Sequence, residues 1–304
     1  MSTEKNKPAV FTGPRLERRR ILLDGIAHSC TLQANDVLKL DDGREVKVAD
    51  AVHLPPCEPT KIICVHLSYT SRGIESRNMP QPTPEPTYFM KPLTTLNHHG
   101  GTIVKPDGCQ YLNYEGEYAV VISKRCKDVT PDEAWDYIEG FVPVLDMGMH
   151  DFRDTDSGSM FRVKGMDGFC PIGPGIVSGV DIREQTLRTY RNGHIVQEAK
   201  IGDEQVWGAN YMIADVARYI TLEPGDIILT GTPCHSRSLS VGDLIELEIT
   251  NIGRLSNRVV AGPEPRANAL KTGHQAIDSE EARRVAKGND SRVPDRFKEN
   301  YWKS

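Results

Sequence analysis

Residues 115–122 read EGEYAVVI, two acids followed by an unbroken apolar run. The run predicts a β-strand over 117–123. Side chains along a strand point alternately to its two faces, so Glu115 and Glu117 are expected on the same face. The segment therefore predicts a strand that carries two neighbouring carboxylates at its beginning.

Two carboxylates this close repel each other unless a cation neutralises them. Mg²⁺ and Mn²⁺ take oxygen ligands and hold carboxylates together. A third acid, Asp146, follows the apolar segment 141–145, at a strand end where an unpaired acid is costly unless it is bound. From the residues alone, two interpretations remain. The three acids bind a cation, or they are simply solvated, two of them at a strand end and the third in a turn.

Strands are predicted along much of the chain, whereas helices are few. Residues 61–65 form an apolar run that predicts a fully buried strand. Thr130-Pro131 and the acids that follow predict a helix over 131–139, and an apolar face predicts another over 208–220. Strands and helices do not alternate one for one, so the expected fold class is α+β, mainly β. Further strands are predicted at 175–178, 187–191, 226–230 and 244–249.

The chain divides into three predicted regions. Residues 1–56 form a small N-terminal β-rich region, with short strands at 20–23, 29–32 and 46–48. A proline-rich break begins the main domain, 57–262. The composition then turns polar, so residues 263–304 are expected to form a C-terminal tail, in which a capping-box pattern at 278–281 indicates a short helix.

Composition excludes several classes of protein. The 304 residues contain 37 basic and 42 acidic side chains without a basic tract, so nucleic acid is not an expected partner. The overall polarity argues against an integral membrane protein. Seven cysteines form no CxxC pair, which favours free thiols in a reducing cytoplasm. No export signal is recognised at the amino terminus.

The order of short motifs over residues 60–260 resembles the fumarylacetoacetate hydrolase family. No single motif is specific, but so many in the family's order are hard to obtain by chance. The series comprises Glu-x-Glu at 115–117, Asp146, Lys164 ahead of a Gly-Pro turn at 173–174, Asn-Gly-x-x-x-Gln at 192–197, Pro-Gly-Asp at 224–226, Thr-Gly-Thr-Pro at 230–233, Gly-Asp at 242–243 and Ile-Gly-Arg-Leu-Ser-Asn at 252–257.

The resemblance implies a mixed β-roll catalytic domain, paired as a homodimer, that holds Mg²⁺ or Mn²⁺. The metal ligands would be Glu115, Glu117 and Asp146. Lys164 would place a cation beside the enolate that the metal stabilises, and Thr232 would bind the far end of the substrate. A surface lysine and a simple turn threonine are the alternatives. The implied partner is a small 2-oxo or enol dicarboxylate.

One segment departs from the family pattern. Many members have Asn-Tyr-x-x-His-x-x-Glu after the first buried strand, where a His-Glu dyad on a mobile lid activates water. Here Tyr69 and Glu75 are retained, but Arg72 replaces the histidine. Arginine does not deprotonate in proteins, so it suits clamping a carboxylate. An ion pair between Arg72 and Glu75 is the alternative.

Two further features bear on this departure. His150 follows Asp146 by four residues, where the family often has arginine, and could restore a base; a hydrogen-bonded core histidine is the alternative. Proline at every second position of 79–86 predicts a stiff loop, either a surface linker or the return path of a lid that begins at Arg72.

Three functions follow from these patterns. The first is an isomerase, with decarboxylation as a related activity, acting on 2-oxo or 2-hydroxy-dienoic dicarboxylates from opened aromatic rings. The second is a carbon-carbon hydrolase of acylpyruvates, for which His150 or Glu75 would have to activate water. The third is a catalytically silent binding protein, which the three retained candidate metal ligands argue against.

Overall fold

A computed structural model describes residues 8–156, 158–264 and 280–297. The α-helices of this part are α1 (Thr70–Arg77), α2 (Pro131–Ala134), α3 (Phe161–Lys164), α4 (Ile201–Glu204), α5 (Ala209–Tyr219) and α6 (Glu280–Lys287). The strands are β1 (Leu16–Leu23), β2 (Ile26–Gln33), β3 (Val37–Leu40), β4 (Glu45–Lys47), β5 (Val52–Leu54), β6 (Ile62–Val65), β7 (Tyr88–Lys91), β8 (Leu96–His98), β9 (Thr102–Lys105), β10 (Leu112–Asn113), β11 (Gly116–Ile122), β12 (Ile138–Leu145), β13 (Gly148–Met149), β14 (Cys170–Ile172), β15 (Gly175–Ser178), β16 (Thr186–Arg191), β17 (His194–Lys200), β18 (Ile227–Leu229), β19 (Leu244–Ile249) and β20 (Gly253–Ala261).

Two large mixed sheets form most of the described fold, which confirms the mainly β expectation. The larger sheet runs β4-β3-β2-β1-β15-β12-β11-β18-β6-β7, and the smaller runs β17-β16-β19-β20-β9. Three strand pairs are parallel, β6 with β18, β8 with β14 and β9 with β20, while the other pairs are antiparallel. Every residue of β11 is buried, so this strand lies in the centre of the core. No helix in the described ranges is long and apolar enough to cross a membrane.

The N-terminal β-rich region has a small core of its own but shares a sheet with the main domain. Ile21, Cys30, Leu38 and Leu40 form its buried cluster. Its first strand, β1, is hydrogen-bonded to β15 in antiparallel register. The region therefore extends the larger sheet.

The predicted helix over 131–139 is wrong in length. Thr130 caps α2 in a capping box with Glu133, as the sequence indicates. The α-helix nevertheless ends at Ala134, and after one 3-10 turn β12 begins at Ile138, opposite Ile122 of β11. Pairing with the buried strand prevails over the local helix signal, because the sheet satisfies the backbone and buries the apolar side chains.

The other predicted elements match the structure closely. The helix over 208–220 is confirmed as α5, and strands 175–178 and 244–249 have the predicted bounds. The strand predicted at 226–230 is shorter, because Asp226 lies in the preceding turn. Its Oδ1 accepts hydrogen bonds from the amides of Thr60 and Lys61 at 2.8 and 3.0 Å.

Part of the predicted polar tail is folded against the main domain. The capping-box residues 278–279 lie outside the described residues, but α6 forms where that pattern indicates a helix. Val293 and Phe297 are buried with Cys234 in a separate apolar cluster. The Asn113 side chain donates a hydrogen bond to the carbonyl of Ala286 at 2.9 Å.

His235, beside this cluster, couples the stability of the fold to pH. Its ring is 1% exposed, lies 5.9 Å from the Phe297 ring and hydrogen-bonds through Nδ1 to the Val196 carbonyl at 2.7 Å. Burial and the Arg237 charge lower the pKa of His235 to about 4, although Glu75 and Asp290 act in the opposite direction. The folded pKa lies below the unfolded value of 6.5, so protonation favours the unfolded chain.

We expect His235→Asn to reduce the loss of stability on acidification. The contribution of His235 is complete above pH 6.5 and is lost as the pH falls towards 4. Urea unfolding across that range should therefore show a shallower fall in the free energy of unfolding than in the unmodified protein. His194→Asn, which replaces an exposed histidine, is the control. Parallel curves for all three proteins would contradict this expectation.

Candidate active site

The antiparallel pairing of β11 with β12 brings three acids together. Gly116 lies opposite Leu145, so the beginning of β11 meets the end of β12. The amide of Asp146 donates to the carbonyl of Glu115 at 2.9 Å. Glu115, Glu117 and Asp146 are all buried, and one carboxylate oxygen from each lies within 4.8 Å of the others. The three acids predicted to bind metal therefore form one cluster, the acidic triad.

Only glycine fits between the two glutamates. A Cβ at Gly116 would lie 2.1 Å from the Thr189 hydroxyl oxygen. The Gly116 amide donates to Gln197 Oε1 at 3.1 Å, and Gln197 Nε2 donates to Thr232 Oγ1 and to the Pro233 carbonyl, both at 3.0 Å. Gln197, which has no predicted site role, thus ties the triad strand to the Thr-Gly-Thr-Pro turn. Its place in the predicted hairpin motif was the available signal.

Two buried lysines neutralise part of the triad. Lys164 Nζ lies 2.6 Å from Glu115 Oε2 and 2.7 Å from Asp146 Oδ2. Burial opposes its charge, but Asp146 and Glu115 outweigh burial and raise the pKa of Lys164, so it stays a cation. Lys91 Nζ lies 2.5 Å from Asp146 Oδ1. Lys91 was not among the predicted site residues, because nothing in its local pattern distinguishes it from a surface lysine.

The charges of the triad fit a divalent cation. Burial raises the pKa of Glu117 well above its usual range, and the neighbouring Asp146 and Glu115 add to the effect. Burial also opposes ionisation of Glu115, but Lys164 and Arg72 outweigh it and lower the pKa of Glu115 to about 2. No lysine or arginine of the described ranges forms an ion pair with Glu117. Three buried carboxylate donors with one lacking a counter-ion suit Mg²⁺ or Mn²⁺.

Arg72 and Glu75 form a buried ion pair on α1. Arg72 Nη1 lies 2.6 Å from Glu75 Oε2, while its Nη2 lies 3.7 Å from Glu115 Oε1. Glu75 also accepts from Arg237 Nη1 at 2.6 Å and from the His235 amide at 3.1 Å. Although burial opposes its ionisation, the two arginines lower the pKa of Glu75. Glu75 is therefore a fixed anion between two guanidinium groups.

His150 is fully buried beside the triad. Its Nε2 lies 3.8 Å from Glu115 Oε1, and neither ring nitrogen has a hydrogen-bond partner in the part of the chain that the structure describes. Burial lowers the pKa of His150 well below its usual range, and Arg153 and Lys164 contribute to this shift. The imidazole is thus neutral at physiological pH. Gly148 makes room for it, because a Cβ there would lie 2.9 Å from His150 Cδ2.

Tyr69 and Thr232 differ in their capacity to bind a substrate. The Tyr69 hydroxyl is buried and finds no hydrogen-bond partner within the described ranges. The Thr232 hydroxyl donates to the Gly116 carbonyl at 3.0 Å and accepts from Gln197. Both roles of that hydroxyl are filled inside the protein, so a contact of Thr232 with substrate stays a prediction.

A cavity of about 860 Å³ is lined by Arg72, whose Nη2 lies 3.7 Å from Glu115 of the triad, while the three triad acids themselves are not among its lining residues. The proline-rich loop supplies Met79, Pro82 and Thr83 to its wall. A Cβ at Gly73 would lie 2.5 Å from the Met79 carbonyl, so this loop is in close contact with α1. Arg153, which was not a predicted site residue, also lines the cavity, as do Arg77, Arg284, Gly288, Asn289 and Arg292.

Comparison with known proteins identifies the family of this chain. The family model described as fumarylacetoacetate (FAA) hydrolase C-terminal matches residues 61–260. The solved structure of 5-carboxymethyl-2-hydroxymuconate delta-isomerase from Mycobacterium smegmatis is similar, with a TM-score of 0.75, 31% identity and coverage of 82% of this chain and 100% of that one.

Two curated relatives extend the comparison. A 4-hydroxyphenylacetate degradation bifunctional isomerase/decarboxylase of Salmonella dublin is 36% identical over 182 residues, which are 59% of this chain and 42% of the relative. A mitochondrial oxaloacetate tautomerase of Caenorhabditis elegans is 35% identical over 199 residues, which are 63% of this chain and 91% of the relative. With the family domain matched over most of the chain and the acidic triad assembled inside it, this protein belongs to the fumarylacetoacetate hydrolase family of enzymes.

Proposed function

We propose that this protein is a divalent-metal-dependent isomerase of 2-oxo or 2-hydroxy-dienoic dicarboxylates, with decarboxylation open to the same site. The arrangement of Glu75 carries the proposal. Water activation by a His-Glu dyad needs a free carboxylate that orients an imidazole. Glu75 instead accepts from Arg72 and Arg237, each at 2.6 Å. Isomerisation through an enolate needs a proton carrier but no activated water.

The residues of the site divide this chemistry among them. Arg72 is fixed as a cation and presents Nη2 towards the triad, where it would bind a substrate carboxylate. Lys164 would stabilise the negative charge that develops on the substrate oxygen. His150, a neutral buried imidazole, would take up and return the proton. A metal ion held by the triad would supply Lewis-acid stabilisation of the same oxygen.

The comparisons support this reaction class. The similar structure and the bacterial relative are named an isomerase and an isomerase/decarboxylase, while the nematode relative is named a tautomerase. All three names describe movement of a proton or loss of a carboxyl group next to a carbonyl or enol. We infer that the present chain catalyses a reaction of this type as a homodimer, as the resemblance in its motifs implies, and in the cytoplasm, as its cysteine pattern suggests.

Hydrolysis of an acylpyruvate is the second candidate, and one observation favours it. The ring nitrogens of His150 have no hydrogen-bond partner within the described ranges. A neutral imidazole in this state could accept a proton from water as readily as from a carbon acid. In the part of the chain that the structure describes, His150 lacks an orienting carboxylate within hydrogen-bond distance, since Glu115 Oε1 is 3.8 Å away. We therefore expect hydrolysis to be the slower reaction.

The ratio of two rates tests the proposal. With Mg²⁺ or Mn²⁺ and an acylpyruvate, we expect solvent deuterium to enter the carbon next to the 2-oxo group much faster than the carbon-carbon bond is cleaved. NMR follows both processes in one sample. Arg72→His, which restores the family dyad, should raise cleavage relative to exchange. Cleavage as fast as exchange in the unmodified protein would establish the hydrolase, and neither process across a panel of acylpyruvates and muconate-type acids would indicate a silent binding protein.

A further inference from the structure

The segment 280–297, which lies outside the family domain, forms one wall of the arginine-rich cavity. We propose that Arg292 of this segment and Arg77 of α1 form an outer anion subsite that selects substrates with a second carboxylate. The inference deepens the proposed function, because it names the residues that would recognise the far end of a dicarboxylate. It concerns a part of the chain that the family match, residues 61–260, does not include.

The wall is anchored by specific contacts. Val293 is 4% and Phe297 2% exposed, both against Cys234 of the main domain. Asp290 Oδ1 accepts from Arg237 Nη2 at 2.7 Å. Apolar burial and a partly buried ion pair hold this segment against the main domain, next to α1. Arg292 is thus attached to a fixed support at the edge of the cavity.

The same ion pair joins the segment to the inner end of the site. Arg237 Nη1 lies 2.6 Å from Glu75 Oε1, and the other oxygen of Glu75 lies 2.6 Å from Arg72 Nη1. Arg72 in turn lies 3.7 Å from Glu115 of the triad. A continuous row of alternating charges therefore runs from the C-terminal segment to the acidic triad. These ion pairs fix the position of Arg72 relative to the segment 280–297.

The charge of the cavity is unbalanced. Among the described residues that line it, the one carboxylate is that of Glu75, which Arg72 and Arg237 already share, whereas Arg77, Arg153 and Arg292 add three guanidinium charges. Arg292 Nη1 reaches the carbonyls of Ile74 and Glu75 at 3.4 and 3.5 Å, near the upper limit for a hydrogen bond. Within the described ranges no carboxylate pairs with Arg292 or Arg77. Such an excess of guanidinium groups attracts an anion.

The positions of the arginines suit a molecule with two acidic ends. Arg72 borders the triad, whereas Arg292 contacts the backbone near the end of α1 and Arg77 is its last residue. A volume of about 860 Å³ is within the range of small-molecule sites. One substrate carboxylate at Arg72 and another at the outer anion subsite, Arg292 and Arg77, would each face a positive charge of the cavity. A monocarboxylate bound at Arg72 would leave Arg292 and Arg77 without a counter-ion from the substrate.

Calorimetric titration with a matched pair of ligands tests this subsite. 2-Oxoadipate and 2-oxohexanoate have the same length and differ only in the distal carboxylate. With Mg²⁺ present at physiological salt, we expect the unmodified protein to prefer 2-oxoadipate. Arg292→Gln and Arg77→Gln should each weaken 2-oxoadipate about tenfold and leave 2-oxohexanoate unchanged. Lys287→Gln removes an exposed cation of the same segment that does not line the cavity, and should change neither affinity.

Three outcomes would overturn the subsite: no preference for the diacid in the unmodified protein, equal weakening of both ligands by Arg292→Gln, or the same selective loss in Lys287→Gln. Thermal unfolding of each variant shows whether it is still folded. If Arg292→Gln is not folded, the Arg77→Gln variant, whose substitution lies on α1, tests the subsite instead. The measurement requires no turnover. Selective diacid binding without deuterium exchange would therefore contradict the proposed function and leave the subsite supported.

Discussion

Replacing Glu117 by glutamine is expected to abolish metal-dependent turnover while leaving the metal-free protein at least as stable as before. Glu117 is 2% exposed and shares the triad with two other acids. Glutamine keeps its shape and its hydrogen bond from the Gly231 amide, which lies 2.7 Å from Oε2, but removes an acid whose ionisation is opposed by burial and by the neighbouring Asp146 and Glu115. Replacing a residue that only hydrogen-bonds to a metal ligand lowers metal affinity or activity about 10- to 100-fold. Loss of a ligand itself should therefore lower turnover by more than about 100-fold.

Thermal unfolding separates metal binding from catalysis in this variant. A metal that binds only the folded protein stabilises it by about 2.7 kcal/mol at 100 times its dissociation constant. We expect Mg²⁺ or Mn²⁺ to raise the unfolding temperature of the unmodified protein and to have no effect on Glu117→Gln. Glu248→Gln, on the smaller sheet, should respond like the unmodified protein. Full activity of Glu117→Gln after treatment with EDTA would refute the metal site.

Replacing Lys164 by methionine is expected to impair both stability and chemistry. Lys164 is 2% exposed and contacts Glu115 and Asp146 at 2.6 and 2.7 Å. Methionine preserves much of the side-chain length but leaves two buried carboxylates without this counter-ion. Removing one partner of a buried ion pair costs about 3–5 kcal/mol. Loss of a preorganised charge that stabilises the transition state costs about 10²–10³ in rate.

Saturating divalent metal should distinguish the two effects of Lys164→Met. Because a bound cation would compensate the triad, we expect metal to recover much of the lost unfolding free energy. Deuterium exchange should remain slow, since the substrate oxygen still lacks Lys164. The control is Lys105→Met, which replaces a half-buried lysine whose one hydrogen bond among the described residues goes to the Leu239 carbonyl at 2.9 Å. Exchange at the unmodified rate in Lys164→Met would assign the lysine a purely structural role.

The sequence predicted the parts of this site that depend on local geometry. The alternation of a strand places Glu115 and Glu117 on one face, and the end of an apolar run identifies Asp146 as a strand-end acid. Both are properties of a few consecutive residues. The order of the short motifs identified the family domain, since each motif is a local turn or strand end.

Tertiary structure decided which distant residues meet. The register of β11 against β12 brings Asp146 to the two glutamates, and the helix predicted over 131–139 yields to that pairing. Lys91 reaches Asp146, and Arg237 reaches both Glu75 and Asp290, across separations that no local pattern encodes. A charged side chain looks the same in sequence whether solvent or a buried acid surrounds it. Its role as an ion-pair partner depends on burial and distance, and these quantities exist only once the chain is folded.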